Sequence, residues 1–482
     1  MIEAEQLNVN FRISSLLTGS NVNIDAATLD GTQVNLVKIM DLDSTKDLNI
    51  NLFIKRLAKP KAKATQTTAK VNVGEILINR SYFSYNDSDK DSLAPKFDYS
   101  HFRLQLDDGL IQNFKVIGDT IQFKVNSLYA KDEQTQFEIK HLNTFFRISQ
   151  SSMEFLNINL DAGNSHVQDT VIFSYKSMRD LNDFNNTVQI KANIKASTLD
   201  PRDLALFTSG MDKIKEPIKA SGQFTGKVNR FFVRNLSLQI GNTSFTGNLN
   251  MDGMPSISET FINLNLKQGN VDINDLAFLF PSKTFAGLKP LGKFQLMGNF
   301  TGFVNDFVAN GSFKGKFGQI QSDVNLKINS ENPALSQYKG NIKMIDFKLG
   351  TYLSDTSFLK SVSLTGHIDG KGFTEAAADF VLDGAISHFK IKNYDYKNIV
   401  TKARFKSQFF SGQLTINDPN LKFDAEGSID FSKDNELVRM KARLDTALLH
   451  NLGFSKEKFF LQSVIDIDSK GLNIDSIFVQ PF

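Results

Sequence analysis

The chain of 482 residues contains no cysteine and no tryptophan. Without cysteine it cannot form a disulfide, a thiolate zinc site or a cysteine nucleophile. It also lacks a run of about 18 apolar residues, the length that a membrane-spanning helix needs. The start, MIEAEQLNVNFRISSLL, has no basic segment followed by an apolar one, so it does not read as a signal peptide. We expect both ends to be cuts, with any anchor or export signal outside this sequence.

Charge is nearly balanced, with 55 basic and 52 acidic residues and a net charge of +3. The basic residues are scattered, whereas nucleic-acid binding requires them to cluster. We therefore predict no nucleic-acid partner. The 43 phenylalanines supply a large apolar area on rigid side chains, which suits a core or an apolar surface.

Motifs for catalysis or metal binding are missing. There is no phosphate-binding loop with the spacing G-x-x-x-x-G-K-[ST] and no G-x-S-x-G nucleophile elbow. DIDSKG, residues 466–471, begins like a calcium loop but has Lys470 where an oxygen ligand belongs. The histidines are scattered without H-E-x-x-H spacing: His101, His141, His166, His367, His388 and His450. We predict no enzymatic activity, no cofactor and no metal.

Alternation of apolar and polar residues dominates the chain. In EQLNVNFRI the residues Leu7, Val9, Phe11 and Ile13 share one face, and the same rhythm recurs in QVNLVKI, IQFKVNSL, FINLNLK, KFQLMGNF, SDVNLKI, SGQLTIND and SVIDIDSKGLNID. Period-two alternation predicts strands with one apolar and one polar face, which favours antiparallel over buried parallel sheets. Gly, Asn and Asp at intervals of roughly ten residues supply turns.

Few segments have helical spacing. A helix is predicted near 48–57, where Ile50, Phe53, Ile54 and Leu57 fall on one side, with a small and basic linker at 58–70 after it. A two-turn helix is predicted after Asp200, which would be its N-cap with Pro201 as its first residue.

A strand-to-helix switch recurs along the chain. LDPRDLALF (199–207) and VDINDLAFLFP (271–281) both follow alternating runs, and looser copies begin at Ile345 and Leu444. The spacings are 72, 74 and 99 residues. Such repeats predict a long sheet curved on itself, with short helices between strand groups. The predicted fold is mostly all-β, with repetitive antiparallel strands in an elongated groove.

The predicted division follows these switches. It comprises an N-terminal β region at 1–90, a β region at 91–198, repeat units at 199–270 and 271–344, a unit with an insertion at 345–443, and the start of a further unit at 444–482.

The apolar faces of the repeats allow two interpretations. They could be closed cores of stacked β-sandwiches, or an open groove that binds lipid, because both share the same alternation. The residues predicted to line a lipid groove are Ile262, Leu264, Leu266, Phe294, Leu296, Val324, Leu326, Ile328, Leu414 and Ile416.

The N-terminal residues resemble a known family. LNVNFRISSLLTGSNVNIDAATLDGTQVNLVK (7–38), the helix NINLFIKRL and the strand VNVGEILINRSYFSYNDSD (71–89) are similar to the opening of AsmA-like proteins. The repeats with Asp-Leu-Ala and Gly-x-Phe-x-Gly resemble the TamB (translocation and assembly module) branch. The richness in Phe, Asn and Lys resembles members from Bacteroidota, of which we expect this chain to be a fragment.

The resemblance implies a periplasmic protein of the cell envelope with a β-taco fold, anchored in the inner membrane by a segment missing here. It implies that an apolar groove carries phospholipid acyl chains between inner and outer membrane, or supports outer-membrane protein assembly with an Omp85-type barrel. The alternative is an extracellular or surface structural or adhesive β-repeat protein with closed sandwich cores.

Overall fold

The computed structural model describes residues 2–3, 6–11, 21–40, 46–49, 70–87, 89–92, 95–208, 210–280, 282–373, 376–407, 409–430, 432 and 437–470. The chain divides into two compact units, Met1–Ser244 and Phe245–Phe482. The prediction of a mostly β chain with repeated antiparallel strands and few short helices is confirmed. No helix in the described ranges is long and apolar enough to cross a bilayer.

In its described residues the first unit contains fifteen complete strands, and the division falls inside a sixteenth, β16 (Thr243–Asp252). The fifteen are β1 Ile2–Glu3, β2 Gln6–Phe11, β3 Asn21–Asp30, β4 Gln33–Met40, β5 Lys46–Leu48, β6 Lys70–Asn79, β7 Ser81–Asn86, β8 His101–Ile117, β9 Thr120–Asp132, β10 Glu138–Ile148, β11 Ser152–Ala162, β12 Ser165–Ser174, β13 Gln189–Leu199, β14 Ile218–Lys227 and β15 Arg230–Ile240. Strands β8 to β15 pair consecutively and antiparallel.

Two pairings in this unit are parallel. Strand β3 lies beside β6, with Val22 opposite Val71, and β4 lies beside β7, with Val34 opposite Phe83. The sequence did not predict them, because a strand with one apolar face shows the same alternation in either orientation.

Phenylalanines follow one another across the strands of the first unit. The series runs through Phe114, Phe123, Phe146 and Phe155, and the centres of successive rings lie 5.0–5.8 Å apart. It continues to Phe173, whose ring centre lies 6.4 Å from that of Phe155. Cross-strand aromatic pairs stabilise a sheet beyond the area that they bury. Part of the large phenylalanine content therefore stabilises this sheet.

Short helices follow β12 and β13: 3₁₀ turns at Met178–Asp183 and Met211–Lys213, and α-helices at Phe184–Thr187 and Pro201–Ala205. The predicted cap is confirmed, since Asp200 accepts a hydrogen bond from the Arg202 amide and Pro201 is the first helical residue. The helix has five residues rather than two full turns. Asp203 fixes it to the β11–β12 turn by accepting from the Asn164 amide at 2.7 Å and the Ser165 hydroxyl at 2.6 Å.

The second unit contains twelve further strands that pair consecutively and antiparallel. They are β17 Phe261–Asp272, β18 Lys293–Phe303, β19 Asp306–Gly315, β20 Gly318–Lys327, β21 Gln337–Phe347, β22 Leu359–Lys371, β23 Asp379–Ile391, β24 Tyr394–Lys406, β25 Phe409–Asp418, β26 Leu421–Asp430, β27 Leu437–Leu448 and β28 Phe460–Lys470. Its helical segments are 3₁₀ turns at Ile257–Glu259, Ile273–Leu279, Lys289–Leu291 and Pro333–Leu335, and α-helices at Ser282–Leu288 and Leu349–Tyr352.

The recurring switch has a counterpart in strand number. The four copies of the switch begin in the last residues of β13, β17, β21 and β27. Successive switches are therefore four, four and six strands apart. The longer last interval thus corresponds to one additional hairpin. VDINDLAFLFP forms a 3₁₀ turn at Ile273–Leu279, with Asp272 accepting from the Asn274 amide at 3.1 Å.

Some predicted features fall outside the described residues. These are the helix residues Ile50, Phe53, Ile54 and Leu57, and nearly all of the linker. At the borders of this stretch, Leu48 ends β5 and Lys70 begins β6. Ile13 and residues 471–482 also lie outside.

A buried carboxylate joins two strands and a turn at one edge of the second unit. Asp418, 1% exposed, accepts from the Lys397 amide at 3.0 Å, the Asn420 amide at 2.9 Å and the Tyr394 hydroxyl. Burial and this hydrogen bond raise the pKa of Tyr394 to about 12. The folded state therefore holds the Tyr394 phenol protonated at a pH at which an unfolded chain would ionise it.

We predict that Tyr394→Phe flattens the alkaline stability profile. A raised folded-state pKa stabilises the protein below the unfolded value of 10 and loses this effect as pH rises towards about 12. Urea unfolding at pH 8 to 12 should show a steeper loss in the parent protein than in the variant. Tyr352→Phe, which alters a half-exposed tyrosine of the same unit, is the control. Parallel profiles for parent and Tyr394→Phe would contradict the assignment.

Candidate functional site: an uncharged sheet face

One face of the second unit contains, across its twelve described strands, four rows of residues without a charged side chain. The register aligns its residues in four rows that run from β17 to β28. We call this surface the uncharged face. Row one is Ile262, Gly302, Phe307, Leu326, Tyr338, Gly370, Phe380, Phe405, Phe410, Ile429, Val438 and Ser469. Row two is Leu264, Phe300, Ala309, Val324, Gly340, Ile368, Leu382, Ala403, Gly412, Gly427, Met440 and Ile467. Row three is Leu266, Gly298, Gly311, Ser322, Ile342, Gly366, Gly384, Thr401, Leu414, Ala425, Ala442 and Ile465. Row four is Gly269, Leu296, Phe313, Ile320, Met344, Leu364, Ile386, Ile399, Ile416, Phe423, Leu444 and Ser463.

Hydroxyl groups are the polar side-chain groups in these rows. Three of them donate to backbone carbonyls of the same sheet: Thr401 to Gln413 at 2.9 Å, Ser322 to Ala309 at 3.2 Å and Ser463 to Val464 at 3.4 Å. Burial raises the pKa of Tyr338, so its phenol stays neutral. A hydroxyl that bonds to its own sheet presents little polarity to a ligand.

The opposite face is polar. The row that lies between rows two and three on that side contains no apolar residue: Asn265, Asn299, Asn310, Asp323, Asn341, His367, Asp383, Lys402, Gln413, Glu426, Lys441 and Asp466. Arg404 binds Asp379 through two hydrogen bonds of 2.7 and 2.8 Å, which hold the pKa of that carboxyl below its usual value. Within these rows, the sheet therefore keeps charged groups on the polar side.

The predicted lining residues share this face. Ile262, Leu264, Leu266, Leu296, Val324, Leu326, Leu414 and Ile416 lie in the rows, and Phe294 continues the same side of β18 opposite Val271. Ile328 lies one residue beyond β20, where its amide donates to Asn305 O at 2.7 Å. The exposed fraction of these predicted lining residues ranges from 6% for Leu266 and 7% for Val324 to 37% for Leu296.

The sequence did not predict most of the residues that form the face between β21 and β24. Ile368, Phe380, Leu382 and Phe405 belong to the rows, yet were not among the predicted residues. Alternation in HIDGK and DFVLDGAI was the available signal. Glycine occupies many positions of the uncharged face in these strands. Because glycine counts as neither apolar nor polar, it weakened this alternation.

A hollow interrupts the face where two glycines are opposite each other. Gly298 on β18 pairs with Gly311 on β19. A Cβ atom on Gly298 would lie 2.2 Å from Asn310 O, so the backbones approach too closely for any side chain. The missing side chains leave a cavity of about 140 Å³ whose lining includes Leu264, Leu296 and Phe313. An apolar cavity of similar size stays dry and accepts benzene.

Short helical segments close one strand-end edge of the face. Leu349, the first residue of the Leu349–Tyr352 helix, packs against the buried cluster of Phe317, Phe347 and Val362. At β27, Leu449 and Leu452 in the following turn pack against Leu444 and Ala447. Apolar residues of these segments therefore cover this end of the face.

No second sheet is present in the described part of the second unit. The closed-sandwich interpretation requires such a second sheet.

The polar residues considered for metal binding are dispersed. His101 contacts Asp98 at 3.1 Å, His166 contacts Asp161 at 2.6 Å and His388 contacts Asp395 at 3.0 Å. Across the described ranges, no three His, Asp or Glu side chains are grouped to hold a metal ion. Asp466 and Asp468 of DIDSKG lie in strand β28 near Lys441 and Arg439.

Comparison with known proteins found no matching family model, no matching curated protein and no matching solved structure.

We predict that Gly412→Ala lowers the free energy of unfolding by about 3 kcal/mol. Gly412 has φ +152°, and a Cβ would lie 2.3 Å from Lys402 O on the neighbouring strand. The control is Gly453→Ala, where φ is +82° but the space is open, with an expected loss of about 1 kcal/mol. Chemical denaturation measures both. Equal losses would mean that the close strand approach at Gly412 is not maintained in solution.

Proposed function

We propose that the uncharged face binds phospholipid acyl chains, and that the protein moves phospholipid between the inner and outer membranes or supports outer-membrane protein assembly. One observation carries the proposal: four rows without a charge continue across twelve strands. Apolar rows of this extent are suited to an apolar ligand.

The energetics favour an acyl chain. Burial supplies roughly 0.8 kcal/mol per methylene, so a sixteen-carbon chain gains roughly 10 kcal/mol before the cost of ordering it. This gain can replace the solvation that the chain had in a membrane. The rows offer apolar contact at each strand, and the hollow at Gly298 and Gly311 adds room for a bulkier segment.

The length of the face supports movement rather than storage. Twelve strands at about 4.8 Å spacing extend roughly 53 Å along the ladder. This exceeds the roughly 30 Å hydrocarbon core of a bilayer. A chain can therefore shift along the rows without meeting a charged side chain.

The envelope setting follows from the resemblance to AsmA-like proteins of the TamB branch. It supports a periplasmic location, an inner-membrane anchor outside this sequence and an Omp85-type barrel as a partner. A non-enzymatic role is part of the proposal.

The second candidate is a surface structural or adhesive repeat protein with closed apolar cores. Low exposure in row two favours it, since Val324 and Leu382 are 7% exposed and Ala403 is 2% exposed. Native mass spectrometry and lipid extraction of the purified protein separate the two. Co-purifying phospholipid supports the proposal, whereas its repeated absence favours closed cores.

We predict that Leu264→Asp, Leu326→Asp and Leu296→Asp each lower phospholipid transfer between vesicles, by roughly tenfold or more. A carboxylate on the face must lose its hydration against an acyl chain, and that cost is large. Circular dichroism and thermal unfolding verify that the variants fold, and Leu296, the most exposed of the three, is the safest position.

Val308→Asp and Val381→Asp are the matched controls. Both add the same charge to the opposite face at residues that are 40% and 41% exposed. They should transfer lipid as the parent does. Folded face variants with undiminished transfer would exclude these rows as the lipid track. Unfolding of all three face variants would identify them as sealed core.

A further inference from the structure

A cluster of lysines occupies the strand-end edge of the second unit where β19, β21 and β23 end. Six exposed lysines lie there, with three aspartates nearby, Asp346, Asp355 and Asp395. We call this surface the lysine edge; its lysines are Lys314, Lys316, Lys348, Lys360, Lys390 and Lys392. Because consecutive strands are antiparallel, the ends of all odd-numbered strands of this unit fall on the same side.

Some lysines elsewhere on the unit are held in ion pairs with carboxylates. On the polar face, Lys339 binds Asp369 at 2.7 Å and Lys402 lies 3.5 Å from Asp383. Among the residues that the structure describes, none of the six edge lysines forms an ion pair with a carboxylate. Asp355 accepts from the Ser357 hydroxyl at 2.8 Å, and Asp395 contacts His388 at 3.0 Å. With six lysines and three aspartates, the edge keeps an excess of positive charge.

Backbone hydrogen bonds join the lysine edge into one surface. The Lys348 amide donates to Phe317 O at 2.7 Å, which places Lys348 beside the hairpin of Lys316. The Lys392 amide donates to Phe358 O, also at 2.7 Å. From the β19–β20 turn to the β23–β24 turn the edge spans four strand spacings, roughly 19 Å. Its lysines therefore form an extended line rather than a pocket.

Exposed aromatic residues lie among the lysines. Tyr352 is 50% exposed and Phe358 is 46% exposed. The Lys392 ammonium lies 5.6 Å from the centre of the Phe358 ring, and that of Lys316 lies 4.8 Å from the Phe317 ring. Exposed lysines beside aromatic rings are typical of protein surfaces that contact a membrane interface.

We propose that the lysine edge docks on the surface of an anionic phospholipid bilayer. Lysine ammonium groups bind lipid phosphates, while exposed aromatic rings enter the headgroup region. A line of unpaired cations with aromatic residues fits a planar surface, whereas an acidic protein would not require the exposed rings. The inference goes beyond the acyl-chain proposal, because docking involves a different edge and does not require lipid to leave the bilayer.

Vesicle sedimentation tests the proposal. The protein should bind vesicles of phosphatidylglycerol and phosphatidylcholine in equal parts, but not vesicles of phosphatidylcholine alone, and added salt should weaken binding. The double variant Lys348→Gln/Lys392→Gln should bind the anionic vesicles roughly 25-fold less tightly, about fivefold per lysine. Phe358→Ser should also weaken binding.

The control is Lys339→Gln/Lys402→Gln, which removes the same charge from the polar face and should bind as the parent does. Absence of binding to anionic vesicles, equal binding to both vesicle types, or no effect of Lys348→Gln/Lys392→Gln would overturn the proposal. Binding to polyglutamate but not to vesicles would overturn it in favour of an acidic protein partner. Leu296→Asp, which tests acyl binding, should dock normally, so the two proposals can fail separately.

Discussion

Antiparallel hydrogen bonding between consecutive strands holds β17 to β28 in a register in which uncharged residues of the four rows meet at every step. A slip of one residue in any strand would move its apolar set to the polar side and place charges in the rows. Every feature that we assign to the uncharged face depends on this register. The cost of misplacing even one lysine or aspartate among the rows keeps the register specific.

The polar face contributes specificity more than stability. Its ion pairs are exposed, and such pairs contribute about 0–1 kcal/mol each. Lys339 with Asp369 and Lys402 with Asp383 nevertheless match opposite charges across neighbouring strands. In a shifted register these opposite charges would no longer face each other across the strands. The ion pairs therefore favour the native alignment. The unpaired lysines at the strand ends do not contribute to this alignment and remain available for another role.

Period-two alternation predicted the strands and the common face of Leu264, Val324 and Ile416, because both follow from local geometry. It could not distinguish an open face from a sandwich, since a second sheet leaves no trace in the alternation of the first. It also missed the parallel pairs β3–β6 and β4–β7, whose orientation is set by chain connections rather than by residue pattern. The hollow at Gly298 and Gly311 could not be predicted, because the sequence alone does not show that these two glycines are opposite each other on neighbouring strands.

Consecutive pairing has a further consequence for how such a chain can change in length. Each strand of β17–β28 hydrogen-bonds with its sequence neighbours, so stability accumulates locally, as in other nearest-neighbour repeat folds. Adding two strands preserves the side on which later turns emerge, whereas adding one would reverse it. The six-strand interval before the last switch obeys this parity. Growth by whole hairpins would thus lengthen the molecule while keeping its inward and outward surfaces, and the side of its turns, unchanged.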